Sequence, residues 1–291
     1  MMGADTMLPK VFSLRTFADP RVRCSVICFM AAVVVAATSF FYISLTIWHA
    51  ALVFLILPSF LLPINGWKLW QYSLQSVILG LVFTYSLLIA YWIHDRKLSI
   101  FFSYMTCLSM FHYLEFFFTA LTSLATLECS SFLLDHSLMY WVAAVGSWVE
   151  FFMEYFLFPQ VKVIYVSFFG LFMVIIGEVF RKLAMVHAGS AFTHVVVRYR
   201  RVNHVLVTNG VYSLVRHPGY AGWFIWCIGT QVLLCNPICV VLYAITAWFF
   251  FKERIFYEER LLLQFFGDHY RVYQKNVPLG IPFIRGYSSE T

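Results

Sequence analysis

Apolar residues run along this chain in stretches too long and too even for a soluble core. By run length, segments of membrane-spanning character fall at about 22–47, 50–64, 71–93, 100–126, 137–158, 162–185, 219–234 and 237–252. Most approach the roughly 20 residues that carry a helix across a bilayer. No strand-period alternation interrupts them, and in lipid only helices or closed barrels satisfy their own backbone. The expected fold is therefore all-α and polytopic, with about eight transmembrane helices. The segment at 50–64 is short and holds Pro58 and Pro63, and the parity of the topology turns on it. If it crosses, both termini share one side and only Arg96, Lys97 and Lys162 stand opposite, a bias that puts both ends in the cytosol.

Polar sequence gathers in two places. A stretch at 186–218 carries Arg198, Arg200, Arg201, His204, the turn pair Asn209 and Gly210, and then Arg216, His217 and Pro218; a charged tail, 252–291, follows the last apolar segment. Asn236 and Pro237 form a tight turn that folds the last two segments into a hairpin. The expected organisation is an N-terminal transmembrane region at 1–136 with about four helices. A second region, 137–291, bears the site in a cytosol-facing pocket enclosed by the 186–218 loop and the tail.

Composition sharpens this picture. Hydrophobic residues make up 62% of the chain and charged ones 12%, which rules out water as the only solvent. The seven cysteines are odd in number, lie mostly in apolar runs and lack the paired spacing of a zinc site; they read as packing residues, and no metal is expected. Lys10, Arg15, Arg21 and Arg23 precede an apolar run longer than a signal-peptide core, with no small-residue cleavage pattern after it, so a retained first helix is expected. The basic run Arg198, Arg200, Arg201 suits anionic lipid heads. Nothing resembles a nucleic-acid module, a Ser or Cys nucleophile or a phosphate loop.

Three constellations carry candidate chemistry. Arg216, His217, Pro218, Gly219 and Tyr220 stand directly before an apolar helix, where proline pre-sets the first turn and free N–H groups attract carboxylates or phosphates; a plain helix cap with a membrane-edge Arg and Tyr explains the five residues as well. Arg254 and Glu258 are four apart and share a helix face. They suit two ligands of opposite charge, or only a surface ion pair. Glu178, Arg181 and Lys182 lie near the cytosolic end of the sixth segment; Glu178 is expected to pair with one of the two cations, leaving Arg181 to face the site. Glu115, Glu150 and Glu154 have no basic neighbour in sequence, and a structural pair and a site role for Glu150 and Glu154 stand equal.

Taken in order, these pieces resemble the isoprenylcysteine carboxyl methyltransferase family. The resemblance covers roughly the C-terminal 40% of the chain. It runs from Gly177, Glu178, Arg181 and Lys182, through His204 to Tyr212, Arg216 to Tyr220 and Cys235 to Cys239, to Glu258, Glu259, Phe265, Phe266, Tyr270, Tyr273 and Val277 to Ile284. It implies transfer of a methyl group from S-adenosylmethionine to the C-terminal α-carboxylate of prenylated cysteine in processed CaaX proteins such as small GTPases, in the endoplasmic-reticulum membrane. By resemblance the cofactor contacts His204, Val205, Leu206, Val207, Tyr212, His217, Pro218, Gly219, Tyr220 and Glu258. Val197 stands where the family often has Gln, so there a backbone contact is expected. Arg254 holds the substrate carboxylate, with Arg181 as the second catalytic residue. The chain has no C-terminal cysteine box, so it is not expected to be prenylated itself. Phospholipid methyltransferases share the Arg-His-Pro-x-Tyr core and would take an amine instead; a sterol reductase would need room for a nicotinamide dinucleotide; a transporter is the non-enzymatic alternative.

Overall fold

A computed structural model describes residues 14–42, 69–134, 137–200 and 204–287. Its described residues are helical and turn-connected, without a strand. The expected segment at 50–64 lies outside them. Among the described residues, three helices are long and apolar enough to cross a membrane: Pro20–Phe41, Trp70–Trp92 and Ile164–Ala191, the last counted through its final turn.

The residues separate into two units, divided mainly near residue 167. The N-terminal unit contains α1 (Leu14–Ala18), α2 (Pro20–Tyr42), α3 (Trp70–Trp92), α4 (Arg96–Thr122) and α5 (Leu138–Leu157). Along α2 the small residues Cys24, Cys28, Ala32 and Ala36 recur every four positions and meet Val77, Leu81 and Tyr85 of α3. Small side chains let two apolar helices approach closely, which is how helices attract where lipid is as apolar as they are. Hydroxyls bridge the same seam, Ser25 to Ser76 at 2.7 Å and Ser39 to Tyr85 at 2.7 Å. Helix α4 starts four residues before the expected 100, because Asp95 Oδ1 accepts the N–H groups of Lys97 and Leu98 and caps it. It also stops at Thr122 rather than 126, giving way to a 3-10 turn at Leu124–Thr126.

Of the two roles open to Glu154 on sequence grounds, this unit shows the structural one. Glu154 does have a basic partner, eight residues on: Lys162 Nζ lies 2.6 Å from its Oε2 and 4.5 Å from the centre of the Phe151 ring. Glu154 therefore belongs to a structural ion pair.

The C-terminal unit holds most of α6 (Ile164–Ala188), α7 (Pro218–Leu233), α8 (Pro237–Phe266) and α9 (Asp268–Asn276). Helices α6 and α7 cross on glycines seven apart, Gly170 and Gly177 on one, Gly222 and Gly229 on the other. A methyl on Gly177 would sit 2.6 Å from the Gly222 carbonyl oxygen, and one on Gly222 would sit 2.7 Å from the Arg181 backbone nitrogen. Such backbone-to-backbone approach is open only to glycine. The expected hairpin is present: Asn236 donates to the Gln231 carbonyl and amide oxygens at 3.0 and 3.2 Å, and Pro237 opens α8. Helix α8 runs unbroken from the apolar stretch into the charged tail.

Candidate functional site

The start of α7 fixes the site. Pro218 occupies the first helical position and His217 precedes it as the cap by position, yet the His217 side chain caps nothing. Its Nε2 instead points to Glu259 Oε1, 3.2 Å away. Arg216, which alone could pass for a membrane-edge cation, is buried and donates from Nε to the same oxygen at 2.8 Å. Its Nη1 donates to the carbonyls of Gln274 and Val277 at 3.1 and 2.6 Å.

Glu259 is fully buried and accepts five hydrogen bonds. The Tyr270 hydroxyl donates to Oε1 at 3.1 Å, while the Gln274 amide and the Tyr287 N–H reach Oε2 at 3.1 and 3.0 Å. Burial alone would raise the pKa of this carboxyl, but the His217 hydrogen bond and the Arg216 charge outweigh it and hold the group below its ordinary 4.5. Burial, and then the negative charge of Glu259, push the Tyr270 phenol far up, so it stays a donor. The backbone joins in: Arg216 and His217 donate their N–H groups to the carbonyls of Pro278 and Leu279 at 2.9 and 3.2 Å. The tail is thereby strapped to the mouth of α7.

Glu258, one residue earlier, lies about 100° round the helix and faces another way. It does not pair with Arg254. The Tyr220 hydroxyl stands between them, donating to Glu258 Oε2 at 2.6 Å and accepting from Arg254 Nε at 2.8 Å. Arg254 Nη2 also donates to the His194 carbonyl at 2.6 Å, and its guanidinium lies over the Tyr220 ring. The Nη1 group and one Nη2 proton remain for an anion.

Beside these groups a partly open cleft with a cavity volume of about 130 Å³ is lined by Val197, His204, Val205, Leu206, Val207, Tyr212, His217, Pro218, Gly219, Tyr220 and Glu258. Every residue expected at a cofactor site on sequence grounds is thus gathered around one space. Phe265, Phe266, Tyr270 and Tyr273 also line it. The Tyr273 hydroxyl, its pKa raised by burial to about 12, donates to the Tyr212 carbonyl at 2.5 Å. Arg181 and Arg254 do not line the cleft. Arg181 donates to the Gly219 carbonyl at 3.0 Å and lies over the rings of Trp223 and Phe192, while Glu178 takes Lys182 as its partner at 3.1 Å. Sequence reasoning missed Glu259 as a hub and Tyr220 as a bridge. A buried arginine needs a buried anion, so Arg216 was the available signal for the first; nothing local announced the second.

Comparison with known proteins decides what this arrangement belongs to. The model of the isoprenylcysteine carboxyl methyltransferase family matches residues 170–264. The protein-S-isoprenylcysteine O-methyltransferase of Xenopus laevis is 48% identical over 243 residues, covering 82% of this chain and 84% of that protein. The Homo sapiens protein of the same description is 49% identical over 218 residues, covering 75% and 76%. The chain belongs to the isoprenylcysteine carboxyl methyltransferase family. A solved structure of a eukaryotic intramembrane Ras methyltransferase of this family superposes with a TM-score of 0.87 at 39% identity, covering 92% of this chain and 99% of that one. Family membership and apolar helices together make the chain a multi-pass membrane protein, and the family match at 170–264 spans α7 with its Arg216 to Tyr220 entrance and nearly all of α8 with Arg254, Glu258 and Glu259.

Proposed function

We propose that this protein transfers a methyl group from S-adenosylmethionine to the C-terminal α-carboxylate of S-prenylated cysteine in processed CaaX proteins, small GTPases among them. The observation that carries the reading is the placement of an acid on the cleft wall and an arginine beyond it, joined by a single tyrosine hydroxyl.

The residues present fit that cofactor. Glu258 suits its amino group or ribose, the rings of Tyr212, Phe265 and Phe266 suit a purine, and the start of α7 suits a carboxylate. When bound, S-adenosylmethionine supplies a methyl group on a sulfonium. Arg254 orients the acceptor carboxylate by a charge-assisted hydrogen bond from a permanently charged, planar group. An α-carboxylate with a pKa of about 3.5 is already ionised in the cytosol, so no general base is required, and His217, turned to Glu259, is free to be structural. Alignment of the carboxylate oxygen with the methyl carbon is worth roughly 7–11 kcal/mol, and exclusion of water strengthens the nucleophile. Arg181 shapes the same region by holding the Gly219 carbonyl at the first turn of α7.

In this proposal the chain crosses the endoplasmic-reticulum membrane about eight times, with both termini and the cofactor cleft on the cytosolic side. Residues 1–136 form the N-terminal transmembrane region and 137–291 the catalytic one. The test is labelled methyl transfer, in membranes containing the protein, to a farnesylated cysteine derivative beside its unprenylated and carboxyl-amidated counterparts. Labelling of the free-acid prenyl compound alone is expected. Labelling of phosphatidylethanolamine instead would make the protein an amine methyltransferase, and labelling of nothing would favour a transporter.

A further inference from the structure

Tyr220 sits at the junction of two sites rather than inside one. Its hydroxyl has one proton, given to Glu258, and its oxygen takes the Nε proton of Arg254. Glu258 and Arg254 therefore share their charges through this group, each partly neutralising the other across two charge-assisted bonds. The ring is held independently of the hydroxyl, stacked on His217 at 5.6 Å with an 8° tilt and against Phe251 at 5.2 Å. The phenol is thus fixed in place, and only its hydroxyl links the two ends.

We infer that the Tyr220 hydroxyl is a positioning group that couples the two substrates, so that a cation held at Glu258 strengthens the grip of Arg254 on an acceptor carboxylate. This rests on the function proposed above. A ligand ammonium at Glu258 satisfies that carboxylate, the Tyr220–Glu258 bond weakens, and the share of the Arg254 charge spent on the bridge becomes available to the acceptor. No proton leaves Tyr220 and no bond is broken. By linkage the effect is reciprocal: the acceptor tightens the cofactor by the same factor.

The experiment uses the full-length protein in nanodiscs, with S-adenosylhomocysteine and N-acetyl-S-farnesylcysteine as probes, and measures the binding of each with and without the other. The wild type is expected to show a coupling of at least about 5-fold. Tyr220→Phe keeps the ring contacts on His217 and Phe251; whatever its affinity for each probe alone, the coupling factor, a ratio of two affinities, should fall towards one. Undiminished coupling in Tyr220→Phe overturns the inference, and so does a wild type with no coupling, whatever the variant does. Should Tyr220→Phe fail to accumulate, Glu258→Gln replaces it: with no charge to neutralise, the coupling should vanish while the acceptor alone binds at least as well as to the wild type, and persistence of coupling overturns the inference. A protein that methylates prenylcysteine normally without coupling overturns this inference alone, whereas one that binds neither probe overturns the functional reading with it.

Discussion

Two neighbouring acids divide the work at residue scale. Glu258 looks into the cleft and Glu259 into the protein, because consecutive residues on a helix point about 100° apart. Arg254→Lys keeps a charge but loses the planar fork and the Nε link to Tyr220. It should lose most methyl transfer at unchanged protein abundance, and near-normal turnover would remove Arg254 from the mechanism. Glu259→Gln leaves Arg216 buried without its anion and should cost about 3 kcal/mol, read as a lowered melting temperature in detergent. The sign of the acid response follows from the lowered pKa of Glu259: its contribution is full above the unfolded value and is lost as pH falls through the lower folded one. Wild-type melting temperature should therefore drop below about pH 4.5, and the Glu259→Gln variant should show a smaller drop over the same range. Equal slopes would mean that other carboxylates govern acid stability.

Most elements were legible in the sequence because apolar run length answers directly to bilayer thickness. As helices, the segments expected at 71–93, 137–158 and 219–234 match α3, α5 and α7 to within a residue at either end, and of these α3 is also long and apolar enough to cross a membrane. The errors lie where a single side chain moves a boundary, as Asp95 does at α4, or where a partner is distant, as Lys162 is for Glu154. Site residues on the cleft wall could be named because they form an ordered motif; their bonds could not, since Arg216 finds its partner 43 residues away and periodicity is silent on such distances. The glycine crossing of α6 and α7 carries its own prediction. Gly177→Ala and Gly222→Ala force methyl groups into facing backbone and should each cost about 1–3 kcal/mol with a loss of activity, since Arg181 and Gly219 sit at that crossing. Gly146→Ala, with open space around it, should leave melting temperature and turnover unchanged.

At the scale of the whole molecule the two substrates come from different solvents. A charged cofactor arrives through water, while each CH₂ of a prenyl chain favours the bilayer by about 0.8 kcal/mol. The proposed function therefore requires one opening to the cytosol and another to lipid. The proposed orientation is tested by inserting a spaced glycosylation acceptor beside Asp95, where the few opposite-side cations lie: it should be modified in the lumen, while the same insert beside Tyr199 should not, and the reverse pattern would invert the topology. The strap that closes the cleft has a temporal meaning. Arg216 emerges during synthesis well before the carbonyls of Gln274 and Val277 and the Tyr287 N–H that complete its cluster. The hydrogen-bond shell of Arg216 and Glu259 is therefore complete only once a segment made after α7 and α8 is in place.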